Sequence, residues 1–362
     1  MLPTTSDYKK IVLEDIPLID VRAPIEYEKG SIINSINLPL MNDEERHLVG
    51  IKYKSEGNEA ALKLGYKLVS GEIKEKRIQD WVNFKKNYPS AMMYCFRGGS
   101  RSRISQEWLH DAGLNITRIE GGYKAFRNFL IDHLSPNYLT STPVLLSGYT
   151  GSGKTILLRE IENKLDLEQI ANHRGSSFGN HVTPQPSQIN FENNLAYALI
   201  KHEEGNFNHL ILEDEGSHVG QRFIPKPLVD FFSSGQFVLL EVPIEERIEN
   251  TLKEYVIEAI HEHLDAYGKD GLKRWSDYIT NSLTKAKKRL GDERYQRIID
   301  SFNQAYLHQL SYNDYELHRE WIRILLSEYY DPMYEYQIFK SNRKIDFKGN
   351  FNEVVDYLKT LI

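Results

Sequence analysis

The chain has 362 residues, which at roughly 150 residues per domain points to two domains with room for a third. Hydrophobic residues at 40% and charged residues at 27% are ordinary for a soluble globular protein and exclude collagen-like or broadly disordered architectures. The net charge of −6, from 45 basic and 51 acidic residues, excludes a general polycation but allows a local basic face for one RNA.

Residues 17–21 form a short apolar run ending in polar residues, the pattern of a buried strand. Residues 90–94 form a second run that leads straight into Cys95. A helix is expected from residue 102 to about 111, stopped near Gly113. Residues 115–119 then read as a third strand, followed by Gly121 and Gly122. Strands separated by helices imply parallel βαβ units. Residues 131–142, with Pro136 and a Ser/Thr cluster, read as a linker. At Pro143 the pattern restarts, with a strand at 144–147, a glycine loop, and a helix from Lys154 to about Leu165. A strand at 209–212 runs into Glu213-Asp214-Glu215, and 237–241 is a further buried strand. From Ile244 onward the pattern is almost entirely helical, and there is no internal repeat. No apolar run approaches the roughly 18 residues needed to cross a bilayer, and the N-terminus lacks a signal-peptide pattern. The single cysteine, Cys95, excludes an intrachain disulfide and a multi-cysteine zinc site. The expectation is a soluble, cytoplasmic protein with no membrane partner.

Gly148-Tyr-Thr-Gly151-Ser152-Gly153-Lys154-Thr155 fits GxxxxGK[ST] in full, between an expected strand and an expected helix. Glycines let the backbone wrap a phosphate so that several N–H groups point at it. Lys154 would reach the outer phosphates, and Thr155 could hold Mg²⁺. A second-strand carboxylate is expected among Glu213, Asp214 and Glu215, with the weight placed on Asp214. The polar, glycine-punctuated loop Asn172-His-Arg174-Gly-Ser-Ser-Phe-Gly179 follows, and its Arg174 could pair with an anionic ligand. These residues describe a phosphate or diphosphate site and leave open whether a nucleotide is hydrolysed there.

Cys95-Phe-Arg97-Gly98-Gly99-Ser100-Arg101-Ser102 also sits between a strand and a helix. Successive backbone N–H groups and a helix N-terminus favour a thiolate and can hold an anion above it. Arg97, Arg101 and Arg103 add positive charge, so Cys95 is read as a reactive thiol rather than an inert core residue. This loop resembles the active site of rhodanese-type sulfurtransferases. The likeness extends to Leu18-Ile-Asp20-Val-Arg22-Ala-Pro-Ile-Glu26-Tyr27, Gly30-Ser-Ile, Asn37-Leu-Pro39 and Glu120-Gly121-Gly122-Tyr123, over residues 10 to 130. One departure is the position of Arg101, six residues after the cysteine where those loops place an arginine or lysine at five. Cys-x5-Arg is also a phosphatase signature, and loop spacing does not separate sulfur transfer from phosphate-ester cleavage.

The order of both loops, with Asn172-His-Arg-Gly-Ser-Ser-Phe-Gly179, Gln185-Pro-Ser-Gln188, Glu213-Asp-Glu215 and Tyr330-Asp-Pro-Met-Tyr334, resembles the bacterial tRNA 2-selenouridine synthase family over essentially the whole chain. The resemblance implies an α/β fold, with a rhodanese-like parallel-sheet domain at 1–135 and a P-loop α/β domain with a helical C-terminal part at 136–362. It implies a transferase that replaces the sulfur of wobble 2-thiouridine in tRNA with selenium. The route it implies runs through an S-geranyl intermediate, from geranyl diphosphate and then selenophosphate. It assigns Cys95 to the selenium step, no tightly bound cofactor, and a selenophosphate-producing enzyme as a partner. Lys285, Lys287, Lys288 and Arg289, with Arg294 and Arg297, form a basic helical region, opposed in sequence by Asp292 and Glu293, that could contact RNA phosphates. His261 and His263 lie two apart on a helix and face different ways, so they are not read as a metal site. A sulfurtransferase fused to a P-loop small-molecule kinase, or a Cys-x5-Arg phosphatase, would also use these loops.

Overall fold

The computed structural model describes residues 2–341 and 343–361. Their contacts divide into two units, residues 1–138 with 187–204, and residues 139–186 with 205–362.

In the first unit, short apolar runs give five strands: β1 (Thr4–Thr5), β2 (Leu18–Asp20), β3 (Ser35–Asn37), β4 (Met92–Tyr94) and β5 (Thr117–Ile119). They form one sheet in the order β1-β5-β4-β2-β3, with every pair parallel. Leu18, Ile19, Met93 and Ile119 are fully buried, as strands covered on both faces of a parallel sheet should be. The expected strands and the helix after Cys95 are all present, the helix running Ser100–Asp111. Between β3 and β4 lie two helices that local pattern did not reveal, Asp43–Leu68, which bends at Gly57, and Gly71–Asn87. The helix Gln188–Glu204 counts with this unit, although in chain order it follows the glycine loop. It is tied there by Arg127 to Asn193 at 2.8 Å, by Asn190 to the Ser31 amide at 2.8 Å, and by Lys201 to Asp15 at 2.5 Å.

The segment expected as a linker contains the end of helix Gly122–Asp132 and one tight turn, Pro136–Tyr138. The second unit then holds a five-stranded parallel sheet in the order β12-β11-β6-β8-β7. Its strands are β6 (Thr142–Gly148), β7 (Lys164–Leu165), β8 (His209–Glu213), β11 (Gln236–Leu240) and β12 (Phe347–Gly349), while β9 (His218–Val219) and β10 (Arg222–Phe223) make a separate antiparallel ribbon. Two expectations are corrected here. The helix from Lys154 ends at Arg159, and residues 164–165 are the edge strand β7, paired with Ile211 and Leu212. The turn between them is fixed by fully buried Asn163, whose amide donates to the His209 carbonyl at 2.8 Å. The helical C-terminal part is also interrupted by β12, which pairs with β11.

That helical part has its own core around Trp275, Phe302 and Trp321, all nearly fully buried. Helix Gly271–Leu290 shows why: its apolar residues Trp275, Ile279, Leu283, Ala286 and Leu290 recur every three to four positions and all are buried. Two wide π-helical turns, Leu252–Glu258 and Leu326–Tyr330, pass through this region. No helix among the described residues is long and apolar enough to cross a membrane.

Candidate active sites

The thiol loop follows directly from the sheet. Parallel pairing sets Asp20 of β2 beside Tyr94 of β4, so Cys95 leaves the sheet next to Asp20 and Arg22. Arg22, 1% exposed, makes a bidentate pair with fully buried Asp20, donates to the Gly30 carbonyl at 2.8 Å, and lies over the Tyr123 ring at 3.9 Å. The loop at Gly121 and Gly122 closes the other side: the Tyr123 amide donates to the Cys95 carbonyl at 2.8 Å, and the Lys124 amide to the Phe96 carbonyl at 2.9 Å. At Gly122 (φ +58°) a Cβ would stand 2.2 Å from the Cys95 carbonyl and 2.4 Å from the Gly98 nitrogen, so only glycine lets the two loops touch.

Cys95 is 3% exposed and packs with Ile19, Val21, Met93 and Ile104. The fully buried Ser102 donates its hydroxyl to the Cys95 sulfur at 3.1 Å. The loop thus brings Cys95, Gly98, Gly99, Ser100 and Ser102 together.

The arginines are deployed differently from the expectation of summed positive charge. Arg101 is paired in both directions with Glu26, at 2.5 and 3.1 Å, and Arg46 reaches the same carboxylate at 3.1 Å. Burial pushes the Glu26 carboxyl up, but the hydrogen bonds and charge of Arg101, aided by Arg46, hold it below the usual range. Arg103 faces Glu107 at 3.9 Å. Arg97 is exposed, 5.8 Å from the Phe96 ring, and makes no ion pair among the described residues.

The glycine loop joins β6 to helix Lys154–Arg159. Gly151 (φ +79°) passes so close to helix Ile244–Thr251 that a Cβ would lie 2.5 Å from the Thr251 hydroxyl. That helix holds the loop: Arg247 donates to the Thr150 carbonyl at 3.0 Å, Asn250 to the Gly151 carbonyl at 2.9 Å, and Arg247 is anchored by Asp331 at 2.5 Å. Lys154 donates to the Gly148 carbonyl at 2.9 Å. The Ser152 hydroxyl is buried without a partner among the described residues. Gly148, Gly151, Ser152, Gly153, Lys154 and Thr155 therefore form one loop, bordering a cavity of about 660 Å³.

The cavity is more acidic than the sequence indicated. Thr155 donates its hydroxyl to Glu168 at 2.8 Å, and Glu215, Glu254 and Glu262 also line it. Burial opposes the charge of Lys154, but Tyr334, Glu168, Glu215 and Glu213 outweigh it and raise the pKa. Burial and the neighbouring Glu168 push Glu215 up to about 8, and the same causes push Glu254 up to about 7. Burial, with His181 and Arg174 nearby, lowers His173 to about 4. Arg174 stands in the cavity wall, 8% exposed, already paired with Glu262 at 2.5 Å and Glu254 at 3.7 Å.

The weight placed on Asp214 moves to its neighbour. Asp214 faces Arg343 at 3.5 Å, Glu213 turns inward to accept the Leu167 amide at 3.0 Å, and Glu215 lines the cavity. Glu168, Glu254 and Glu262 carried no local signal in the sequence, and Tyr334 was visible only inside a longer motif.

Lys285, Lys287, Lys288 and Arg289 are all exposed near the C-terminal end of helix Gly271–Leu290. Lys287 pairs with Asp292 at 3.1 Å, whereas the other three make no ion pair among the described residues. Arg294 and Arg297 are opposed by Glu328, at 3.4 and 2.9 Å, a carboxylate that sequence proximity did not suggest. His263 is buried and bonds to the Ala259 carbonyl at 2.7 Å. No group of three or more His, Cys, Asp or Glu able to hold a metal ion occurs among the described residues.

Comparison with known proteins gives a consistent result. Residues 141–362 match the family described as the tRNA 2-selenouridine synthase AAA domain, and residues 4–129 match the rhodanese-like domain. A protein named tRNA 2-selenouridine synthase from Sulfurovum sp. (strain NBC37-1) is 51% identical, covering 99% of this chain and 98% of its own. A protein of the same name from Hydrogenovibrio crunogenus is 49% identical, covering 99% of each chain. One from Shewanella denitrificans is 46% identical, with 99% and 98% covered.

Proposed function

Because the chain belongs to the tRNA 2-selenouridine synthase family, we propose that it converts wobble 2-thiouridine of tRNA to 2-selenouridine by two transfers in the cytoplasm. In the first, the uridine sulfur attacks carbon 1 of geranyl diphosphate. The S–C bond forms as the C–O bond breaks, diphosphate leaves with the electron pair, and the uridine ring nitrogen releases its proton. In the second, selenium of selenophosphate adds to carbon 2 of the uridine. The C–S bond breaks, geranyl thiol leaves with the electron pair and takes a proton, and water cleaves the Se–P bond to give phosphate and 2-selenouridine.

The glycine loop suits the first transfer, since its backbone N–H groups and Lys154 can neutralise a diphosphate leaving group. The oxygens of Thr155 and Glu168, 2.8 Å apart, fit a Mg²⁺ shared with substrate phosphates, which Mg²⁺ usually retains as ligands. When bound, such an ion would neutralise charge on the diphosphate. No cofactor is held tightly in this reading. The thiol loop suits the second transfer, with a soft sulfur bonded by Ser102 beside backbone N–H groups for an anion. Selenophosphate itself comes from an enzyme that makes it, a natural partner.

The observation that carries this reading is the presence of both built loops in a chain that matches family members end to end. Its test is nucleoside mass spectrometry on tRNA bearing 2-thiouridine, incubated with the protein, geranyl diphosphate and selenophosphate. The expected product is 2-selenouridine. Cys95→Ser should accumulate the S-geranyl nucleoside, and Lys154→Ala should stop at 2-thiouridine. Unchanged 2-thiouridine with folded protein and intact tRNA would overturn the reading and turn attention to ATP or phosphate-ester turnover.

A further inference from the structure

The first unit contains a cavity of about 620 Å³ that neither loop accounts for. It lies between the two arms of helix Asp43–Leu68 and the first turns of helix Ser100–Asp111. Leu40, Met41, Val69, Ile104 and Trp108 line it, and all five belong to the packed cluster that includes Cys95. Ser100 and Arg101 of the thiol loop border it, as do Glu26, which pairs with both Arg101 and Arg46, and Lys54. The lining residues Ile51, Tyr53 and Tyr66 are 53%, 58% and 49% exposed. Large apolar side chains left open to water around one concave site mark a place that something apolar covers.

The volume is that of a small-molecule pocket. A protein surface would instead need some 800 Å² of face on each partner. One helix position keeps the space open. At Gly65 a Cβ would meet only Val49 Cγ2, at 3.9 Å, so a longer side chain there would enter the cavity. The occupant is therefore apolar along its length and tolerates paired charges, Glu26 with Arg101 and Arg46, where the cavity meets the thiol loop.

We propose that this cavity holds the hydrocarbon chain on the sulfur of an S-alkylated uridine while the thiol loop works on the adjoining carbon. The proposal rests on the S-geranyl reading for the identity of the chain. It makes the cavity a chain-length gauge, with affinity falling about four-fold for each methylene removed.

The test uses the full chain and 10-bromodecanol, whose bromine quenches the fluorescence of a nearby tryptophan. Saturable quenching is expected in the wild type, and its loss in Trp108→Phe would assign the signal to this cavity. Gly65→Leu should weaken the probe at least ten-fold, while Gly65→Ala should leave it near wild type. Both raise helix propensity, so their melting temperatures should not fall. A wild type without saturable quenching, or Gly65→Leu binding like the wild type, would overturn the proposal. The second arm compares selenation of tRNA carrying S-geranyl or S-methyl 2-thiouridine. Gly65→Leu should slow only the S-geranyl substrate, and equal slowing of both would overturn the proposal. Normal quenching with no geranyl transfer to tRNA by the wild type would sink the S-geranyl reading and leave the cavity standing as an alkyl site.

Discussion

The pair Asp20–Arg22 is the clearest place to test how the thiol site is held. Both side chains are essentially out of water, at 0% and 1% exposure, and their closest approach is 2.6 Å. Removing one member of such a pair leaves a buried charge uncompensated and costs about 3–5 kcal/mol. A unit of roughly 160 residues unfolds with an entropy of about 0.3 kcal/mol/K. Arg22→Met should therefore lower the melting midpoint of the first unit by about 9–15 °C. The double variant Asp20→Leu with Arg22→Met removes both charges and should recover more than half of the loss. Calorimetry gives the midpoints, and amide exchange at Met93, Tyr94 and Cys95 reports whether the end of β4 loosens first. A single variant within about 2 °C of the wild type, less than the cost of one uncompensated charge allows, would refute the reasoning. So would a double variant no better than the single one.

Three further outcomes follow from the same geometry. Glu215 is held at about 8 by burial and by Glu168, so the folded chain keeps a proton there that the unfolded chain loses near the ordinary carboxylate range. Stability of the second unit should fall as pH rises from about 4.5 to about 8, and Glu215→Gln should flatten that fall; parallel denaturation profiles across the window would contradict it. Gly99→Ala should leave selenation intact, because its Cβ meets nothing within 4 Å, whereas Gly122→Ala should abolish it by pushing on the Cys95 carbonyl; equal rates would show that the two loops need not touch. Charge reversal at Lys285, Lys288 and Arg289 should weaken tRNA binding and reduce its salt slope by about 0.7–0.9 for each phosphate no longer neutralised, while an unchanged slope would place the RNA elsewhere.

Both loops were legible because their chemistry is local. A glycine loop between a strand and a helix is written in consecutive residues, and so is Cys95 followed by Gly98, Gly99 and a helix. The run Glu213-Asp214-Glu215 shows where locality ends. Three acids at a strand end are equivalent in sequence, but successive side chains point opposite ways. Tertiary neighbours then decide: Leu167 takes Glu213, Arg343 takes Asp214, and Glu215 is left facing the cavity that Lys154 also lines. Glu168 reaches Thr155 from a separate short helix, Leu167–Ala171, with no spacing to announce it. The strand β7 is strand only because β8 offers it a partner, and β12 returns to β11 after roughly a hundred residues of helix. The same holds for the cavity beside the thiol loop, whose walls come from helices with little apolar periodicity.

The placement of Arg101 bears on which chemistry the thiol loop performs. A Cys-x5-Arg loop cleaves phosphate esters by turning its arginine onto the bound phosphate, where the bidentate fork matches the oxygens. Here that fork is closed on Glu26, and Arg46 adds a second cation to the same carboxylate. Turning Arg101 toward an anion would leave Glu26, only 14% exposed at its side chain, with one partner fewer. The loop therefore offers an anion its backbone N–H groups and the exposed Arg97, while the fork of Arg101 is already engaged. In the proposed second transfer this leaves the oxygens of selenophosphate to the backbone N–H groups and Arg97. The apolar cavity bordering the same arginine gives the proposed alkyl chain a place against Ile104 and Trp108, beside the thiol loop.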